Sequence, residues 1–468
     1  MIKCPNCTGE MTFKPTDQVI KCDWCGSTFK AAELHEKLKG SKETTETELD
    51  DKTGKEIITG TAYSCSQCGA EILTFDDTAV TFCSYCGSQA MLISRMIEET
   101  APDYIIPFKK DKNECIESYR KTLKKSLFAP DYFKNDTTVE KFRGIYIPYV
   151  VYKFGYKGEI KSSASKYSHR SGDYVIYDLF KLKANADVEY EGMSYDLISK
   201  YYDKFSESIP FNFKEREDFN PNYLIGFYAD RGDVDKGIYE QEAISEAKED
   251  AKDRFKKQKE FSSFHDIKGN IDLETKEKKV GMFPLYFLAI RDKTGTKVSY
   301  AIVNGQTGEV AADIPVSFKK YVGFSMLMSI LVFILINAYV VLTPVSISII
   351  AMVFAVINFV ISAIQLESIR NEKDHTFDKG FVSQNKDKKK ENEKLLTMLR
   401  YVYKELLAFS IPMLVFLANP VDDYYYYGAA IISIILDTLS FSDLIKEHNI
   451  LVSNKLPQLE KRGGDENA

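Results

Sequence analysis

Between Val322 and Ile364 the chain carries no charged side chain, and Thr343-Pro344 divides that stretch into Val322–Leu342 and Val345–Ile364. At ~1.5 Å rise per residue the two halves make helices of about 31 and 30 Å, each matching a hydrocarbon core of roughly 30 Å. Core helices of soluble proteins rarely run so far without a charge. Residues 321–365 therefore read as a transmembrane hairpin that returns to the side it entered.

A second apolar pair follows at 406–442. Leu406–Val421 is about 24 Å as a helix and holds Pro412, whereas Tyr424–Ser442 is longer and holds Asp437. The expectation is two further spans, about four in all, with a re-entrant pair as the alternative. Tyr424-Tyr425-Tyr426-Tyr427 suits an interfacial aromatic belt. Between the pairs, 366–405 is a basic polar loop, whereas the turns Thr343-Pro344 and Asn419–Asp423 have no Lys or Arg. Basic loops stay in the cytoplasm. The chain is thus expected to be a multi-pass protein of the cell membrane with both termini cytoplasmic, ending in a cytosolic tail, 443–468. Asp437 reads as the one ionisable side chain within an expected span, near enough to the cytoplasmic end to reach the interface. Asn337 and Asn358 lie at different depths of the first hairpin, so they do not pair within it. So little polarity favours an anchor over a conduction path.

Eight of the nine cysteines form Cys-x-x-Cys pairs within the first 86 residues, and Cys115 stands apart. Cys4-x2-Cys7 and Cys22-x2-Cys25 are separated by fourteen residues, as are Cys65-x2-Cys68 and Cys83-x2-Cys86. Cys25-Gly26-Ser27 matches Cys86-Gly87-Ser88, and Gly69 follows Cys68. Each set can point four thiolates at one Zn2+ at ~2.3 Å, and four-Cys closure leaves no open position for catalysis. The expectation is two zinc ribbons, 1–40 and 61–95, with one structural ion each, in a reducing compartment. A charged flexible linker, 41–60, lies between them. The N-terminus is polar and reads as lacking a secretory signal.

Residues 103–317 have the composition of a cytosolic α+β domain. A helix is expected at Asn113–Leu127. Gly144–Tyr152 reads as an apolar strand in which Pro148 needs an edge, bulge or strand start. Gly281–Leu288 repeats its arrangement of Gly, aromatic, Pro and apolar run. Glu159–Tyr167 and Tyr174–Lys183 flank a turn at His169–Asp173. Beyond it, Ala184, Ala186, Val188 and Tyr190 alternate with charged or polar residues, giving one buried and one wet face. Ala243, Ala247, Ala251 and Phe255 place one apolar stripe on a helix at Tyr239–Gln258. Val298–Val303 and Glu309–Ala312 form a second hairpin.

The chain shows no phosphate loop, nucleophile elbow or paired-His motif. His169 and His265 lie in polar segments, and Cys115 reads as a buried small hydrophobe. No catalytic residue and no organic cofactor are expected, so the chain does not read as an enzyme. Net charge is −6. Residues 1–40 carry six Lys against five acidic residues, and 61–95 carry Arg95 alone, so neither ribbon has the cation cluster that counterion release requires.

Together the paired ribbons, Ile106-Pro107-Phe108, Tyr146-Ile147-Pro148-Tyr149, Asn304–Glu309 and Arg462-Gly463-Gly464 resemble a bacterial group of TFIIB-type zinc-ribbon-containing membrane proteins. Similar sequences often carry a label naming the primosomal replication-restart helicase, on ribbon similarity. The resemblance implies zinc and membrane attachment. The expected function is that of an adaptor or scaffold holding a protein partner at the cytoplasmic face of the bilayer. A membrane-tethered nucleic-acid-binding protein is the alternative, and a transporter or channel component is third.

Overall fold

The computed structural model describes residues 3–41, 55–75, 80, 83–89, 91–198, 205, 208–256, 263–268, 273–292, 294–339, 342–375 and 388–455. Most of the expected linker, the lysines at 386 and 388–390 of the expected basic loop, and the tail from Leu456, with Arg462-Gly463-Gly464, lie outside the described residues or have side chains that do.

At the N-terminus β1 (Met11–Lys14), β2 (Val19–Cys22) and β3 (Thr28–Phe29) form a three-stranded antiparallel sheet, followed by helix α1 (Ala31–Ser41). Phe13 pairs with Ile20 across β1 and β2, and both are buried. This small ribbon packs into the main body. The Phe13 ring meets those of Tyr223 and Phe227 edge-on at 5.3 and 6.4 Å, and the Asn220 and Asn222 amides donate to the Ala31 carbonyl.

Strands β4 (Ile57–Cys65), β5 (Glu71–Thr74) and β6 (Met91–Thr100) are antiparallel, with β4 between the other two. The end of the segment expected as linker is therefore strand from Ile57 onward. Short β7 (Tyr104–Ile105) precedes α2 (Lys112–Lys125), which begins with a capping box between Asp111 and Glu114. The two longest neighbours follow, β8 (Arg143–Ser171) and β9 (Tyr174–Asp196), joined by a tight turn at Gly172, whose φ is +61°. Next come β10 (Glu217–Asp218), β11 (Tyr228–Ala229), α3 (Glu240–Lys256), β12 (Ser263–Lys268), β13 (Glu274–Arg291), β14 (Lys297–Asn304) and β15 (Val310–Ala312).

From β4 onward the described strands belong to one 13-stranded sheet, whose main path runs β10-β7-β13-β8-β11-β5-β4-β6. Residue Ala229 of β11 pairs with Leu73 of β5 on one side and with Tyr146 of β8 on the other. The second cysteine ribbon is thus continuous with the sheet of the α+β region rather than a separate unit. The two motifs of similar sequence are direct partners: Met282 faces Pro148, Phe283 faces Ile147 and Pro284 faces Tyr146. Pro148 lies between the residues of β8 that pair with β11 and those that pair with β9, where its missing N–H interrupts no ladder bond.

Strand β13 is apolar on both faces because both are covered. Met282, Tyr286, Leu288 and Ile290 enter one core with Phe108 and Tyr146, whereas Phe283, Leu285 and Phe287 enter another with Ile147 and Tyr149. The stripe of α3 packs Ala243, Ala247 and Ala251 against Tyr152, Phe154 and Tyr195 at the base of the β8–β9 ribbon; the Phe255 side chain lies outside the described residues.

The C-terminal part is helical: α4 (Phe318–Tyr339), α5 (Pro344–His375), α6 (Lys388–Ala418) and α7 (Tyr424–Leu451), then β16 (Asn454–Lys455), which pairs with β14. The expected basic loop 366–405 is helix at both of its ends, because α5 and α6 extend past their apolar halves. Among the described residues, two stretches, Pro344–Ile369 and Tyr424–Leu451, are long and apolar enough to cross a membrane. The expectation of about four spans is not supported by length and hydropathy, which single out these two among the described residues. Helices α5, α6 and α7 pack against one another. Asp437 does not turn toward an interface: the Asn358 amide donates to Asp437 and also to Glu405, a second carboxylate that the reading of the spans had placed outside them. The Asn337 side chain lies outside the described residues.

Candidate metal centres

All eight paired cysteines converge as their spacing requires. Cys4, Cys7, Cys22 and Cys25 form one cluster and Cys65, Cys68, Cys83 and Cys86 another, with the sulfurs of each within 4.8 Å of one another. Sγ–Sγ distances are 3.7 Å for Cys4–Cys25, 3.5 Å for Cys7–Cys22, and 3.6 Å for both Cys65–Cys86 and Cys68–Cys83. A tetrahedron with Zn–S bonds of ~2.3 Å has edges of about 3.8 Å, whereas a disulfide needs roughly 2.05 Å. The donor set and its size fit a four-thiolate metal ion.

Local backbone geometry makes each pair a chelating turn. The Cys4 amide donates to the Gly9 carbonyl, Cys22 to Ser27, Cys65 to Ala70 and Cys83 to Ser88, all at 2.7–3.0 Å. A return bond closes each turn, from Thr8 to Cys4, Gly26 to Cys22, Gly69 to Cys65 and Gly87 to Cys83. The donors of these return bonds have φ of +59°, +72°, +63° and +67°. Glycine adopts this left-handed conformation without strain. At the first turn Thr8 takes it instead.

Four thiols this close cannot all ionise without a cation. Hydrogen bonds, first from Cys68 and then Cys83, hold the Cys86 thiol far below the usual range, while those with Cys68 and then Cys86 push Cys83 well above it. In the first cluster the hydroxyl and amide of Ser27 lower Cys25 to about 6. A bound cation removes the conflict by favouring thiolate at all four positions.

The clusters differ in their surroundings. In the first, Cys25 is exposed and Cys7 half-buried, whereas every cysteine of the second is buried. The second is also braced from outside: Arg291 donates to the Cys86 carbonyl and to Gln67, and the Tyr85 hydroxyl donates to Asp230. None of these braces is visible in the spacing of the cysteines. Cys115 lies in the core of the body, where burial first, then Glu114, pushes its thiol up to about 12, so it is inert. His169 is exposed at the far end of the β8–β9 ribbon, and the His265 side chain lies outside the described residues.

No protein-family model matches the chain, and no solved structure matches it. A protein of Bacillus subtilis (strain 168), the uncharacterized protein YdjG, is similar: 27% identical over 328 residues, covering 68% of this chain and 91% of that protein.

Proposed function

We propose that the chain is a membrane-anchored adaptor: two Cys4 sites, each holding a structural Zn2+, stiffen a cytosolic body, and that body presents a protein-binding surface away from the bilayer. The observation that carries this reading is the outer part of the β8–β9 ribbon. Strand β13 covers β8 only as far as Gly155. At ~3.3 Å per residue, the ribbon projects roughly 50 Å beyond that point. Its outer end exposes Tyr167, Tyr174, Val175, Tyr177 and Leu179 at 48–78% of their surface, whereas Phe108, Tyr119, Tyr146 and Phe283 of the central body are fully buried. Contiguous exposed apolar surface marks an interaction site.

The direction of the ribbon supports a cytosolic partner. Helix α7 returns to the body at the opposite end, where Ser299 donates to the Val452 carbonyl and β16 pairs with the start of β14. We take all four C-terminal helices as spans, with the basic residues of 366–405 and both termini in the cytoplasm. TFIIB-type ribbon membrane proteins are the group that this layout resembles.

Photo-crosslinking amino acids at Tyr174 and Leu179 of the full-length chain in native membranes test the reading. A discrete protein adduct is expected at both positions, and none at Lys121 on α2. Equal labelling at all three overturns the adaptor, and a nucleic-acid adduct at the ribbons promotes the alternative. Cysteines introduced at Val421 and Lys446 test the topology: a membrane-impermeant thiol reagent should reach only the first from outside intact cells.

A further inference from the structure

Three polar side chains meet between helices α5, α6 and α7, Glu405 buried and Asn358 and Asp437 half-buried. The Asn358 amide donates to Glu405 Oε1 at 2.9 Å and to Asp437 Oδ1 at 3.4 Å. Each residue stands about 20 Å along its helix from the end at Pro344, Ala418 or Tyr424, so the three lie at one level. Glu405 is only 3% exposed, yet its Oε2 has no hydrogen-bond partner. Ser440, one turn beyond Asp437, is fully buried and places its hydroxyl beside the Glu405 carboxyl. Ser362, one turn beyond Asn358 on the same face of α5, is 3% exposed and its hydroxyl has no hydrogen-bond partner.

Among the described residues no cationic side chain pairs with Glu405 or Asp437. Lys404 turns away to Asp443, which also takes Lys446. A buried carboxylate such as Glu405 needs a partner, and an unsatisfied oxygen there is costly. Here a carboxylate pair stands beside the Ser440 hydroxyl, with Glu405 Oε2 unsatisfied and the buried Ser362 oxygen one turn beyond Asn358. Hard cations take oxygen ligands of this kind.

We propose that Glu405, Asp437, Ser440 and Ser362 form a binding site for one hard cation, an alkali or alkaline-earth ion, with Asn358 positioning the two carboxylates. The site is separate from the Cys4 centres and uses oxygen instead of sulfur donors. It does not rest on the adaptor reading and survives that reading's failure.

The test is thermal melting of the full-length protein in nanodiscs, with N-methylglucamine chloride replaced by sodium, potassium, magnesium or calcium chloride at constant ionic strength. At least one cation should raise the melting temperature saturably by several degrees. Glu405→Gln and Asp437→Asn should each abolish that increment, and Ser440→Ala should raise the half-saturating concentration at least fivefold. Ser433→Ala, whose hydroxyl bonds the Ala408 carbonyl elsewhere in the bundle, should leave it unchanged. The proposal falls if no cation shifts the wild type, or if the shift survives in both carboxylate variants. Should those variants not fold, Ser440→Ala and Ser362→Ala decide: unchanged half-saturation in both overturns the site.

Discussion

The Tyr85 hydroxyl donates to the Asp230 carboxyl group, and both side chains are buried. Tyr85 sits between the last two cysteines of the second cluster, and Asp230 follows β11, so one hydrogen bond joins a metal-binding turn to the central sheet.

Asp230 gives the body a pH dependence. Burial first, and then Asp233, hold the Asp230 carboxyl well above the ordinary range, against the backbone amide of Arg231. The folded chain therefore keeps this proton to a higher pH than the unfolded chain, whose Asp titrates near ~3.9. The stability contributed is present below that value and lost as the pH rises through the folded one. Asp230→Asn keeps an acceptor for Tyr85 and carries no charge. Thermal melts should show the variant more stable by about 1–3 kcal/mol at pH 8 and by less at pH 5. A variant less stable than wild type at pH 8 contradicts this.

Elemental analysis of the purified protein should find two zinc ions per chain. Release to a chelator should be biphasic, with the first cluster emptying sooner because Cys25 is exposed and Cys7 half-buried. Cys22→Ser with Cys25→Ser should leave only the slow phase. A single phase in the wild type, or no zinc, contradicts the assignment.

Thr8 occupies a left-handed position that the other three turns give to glycine. An L-residue there costs roughly 1–2 kcal/mol. Thr8→Gly forfeits the Thr8 Oγ1 bond to the Cys7 carbonyl, but that bond is exposed and readily replaced by water. The net gain should be about 1 kcal/mol, seen as two- to fivefold slower zinc release from the first cluster. Faster release would show that the hydroxyl matters more than the strain.

Gly305 closes the core beneath the stacked rings of Phe108 and Phe227, whose centroids lie 4.2 Å apart. A Cβ at Gly305 would stand 2.3 Å from Phe108 Cδ1 and 3.1 Å from Pro284 Cβ. Gly305→Ala should therefore destabilise by about 1–3 kcal/mol and reduce the near-ultraviolet aromatic dichroism. Gly323→Ala, with nothing within 4 Å, is the control and should be neutral or stabilising. Equal melting of both variants would place Phe108 in a softer core than the geometry indicates.

Local patterns determined much of this protein from sequence alone. A Cys-x-x-Cys turn is closed by hydrogen bonds spanning five residues, so spacing suffices to mark all eight sulfurs. The β8–β9 ribbon follows from alternation around one turn, and α3 from the four-residue spacing of Ala243, Ala247 and Ala251. At β13 only the likeness of Gly281–Leu288 to Gly144–Tyr152 was legible, because a strand covered on both faces shows no alternation to read. Tertiary structure alone decided the rest. Pairing of Leu73 with Ala229 and the bond from Tyr85 to Asp230 made the second ribbon part of the large sheet, and Phe13 docked the first. Likewise Asn358, Glu405 and Asp437 are far apart in the chain, and only the mutual packing of three helices brings them to one level. Contacts of that kind depend on where whole elements come to rest, which no window of sequence contains.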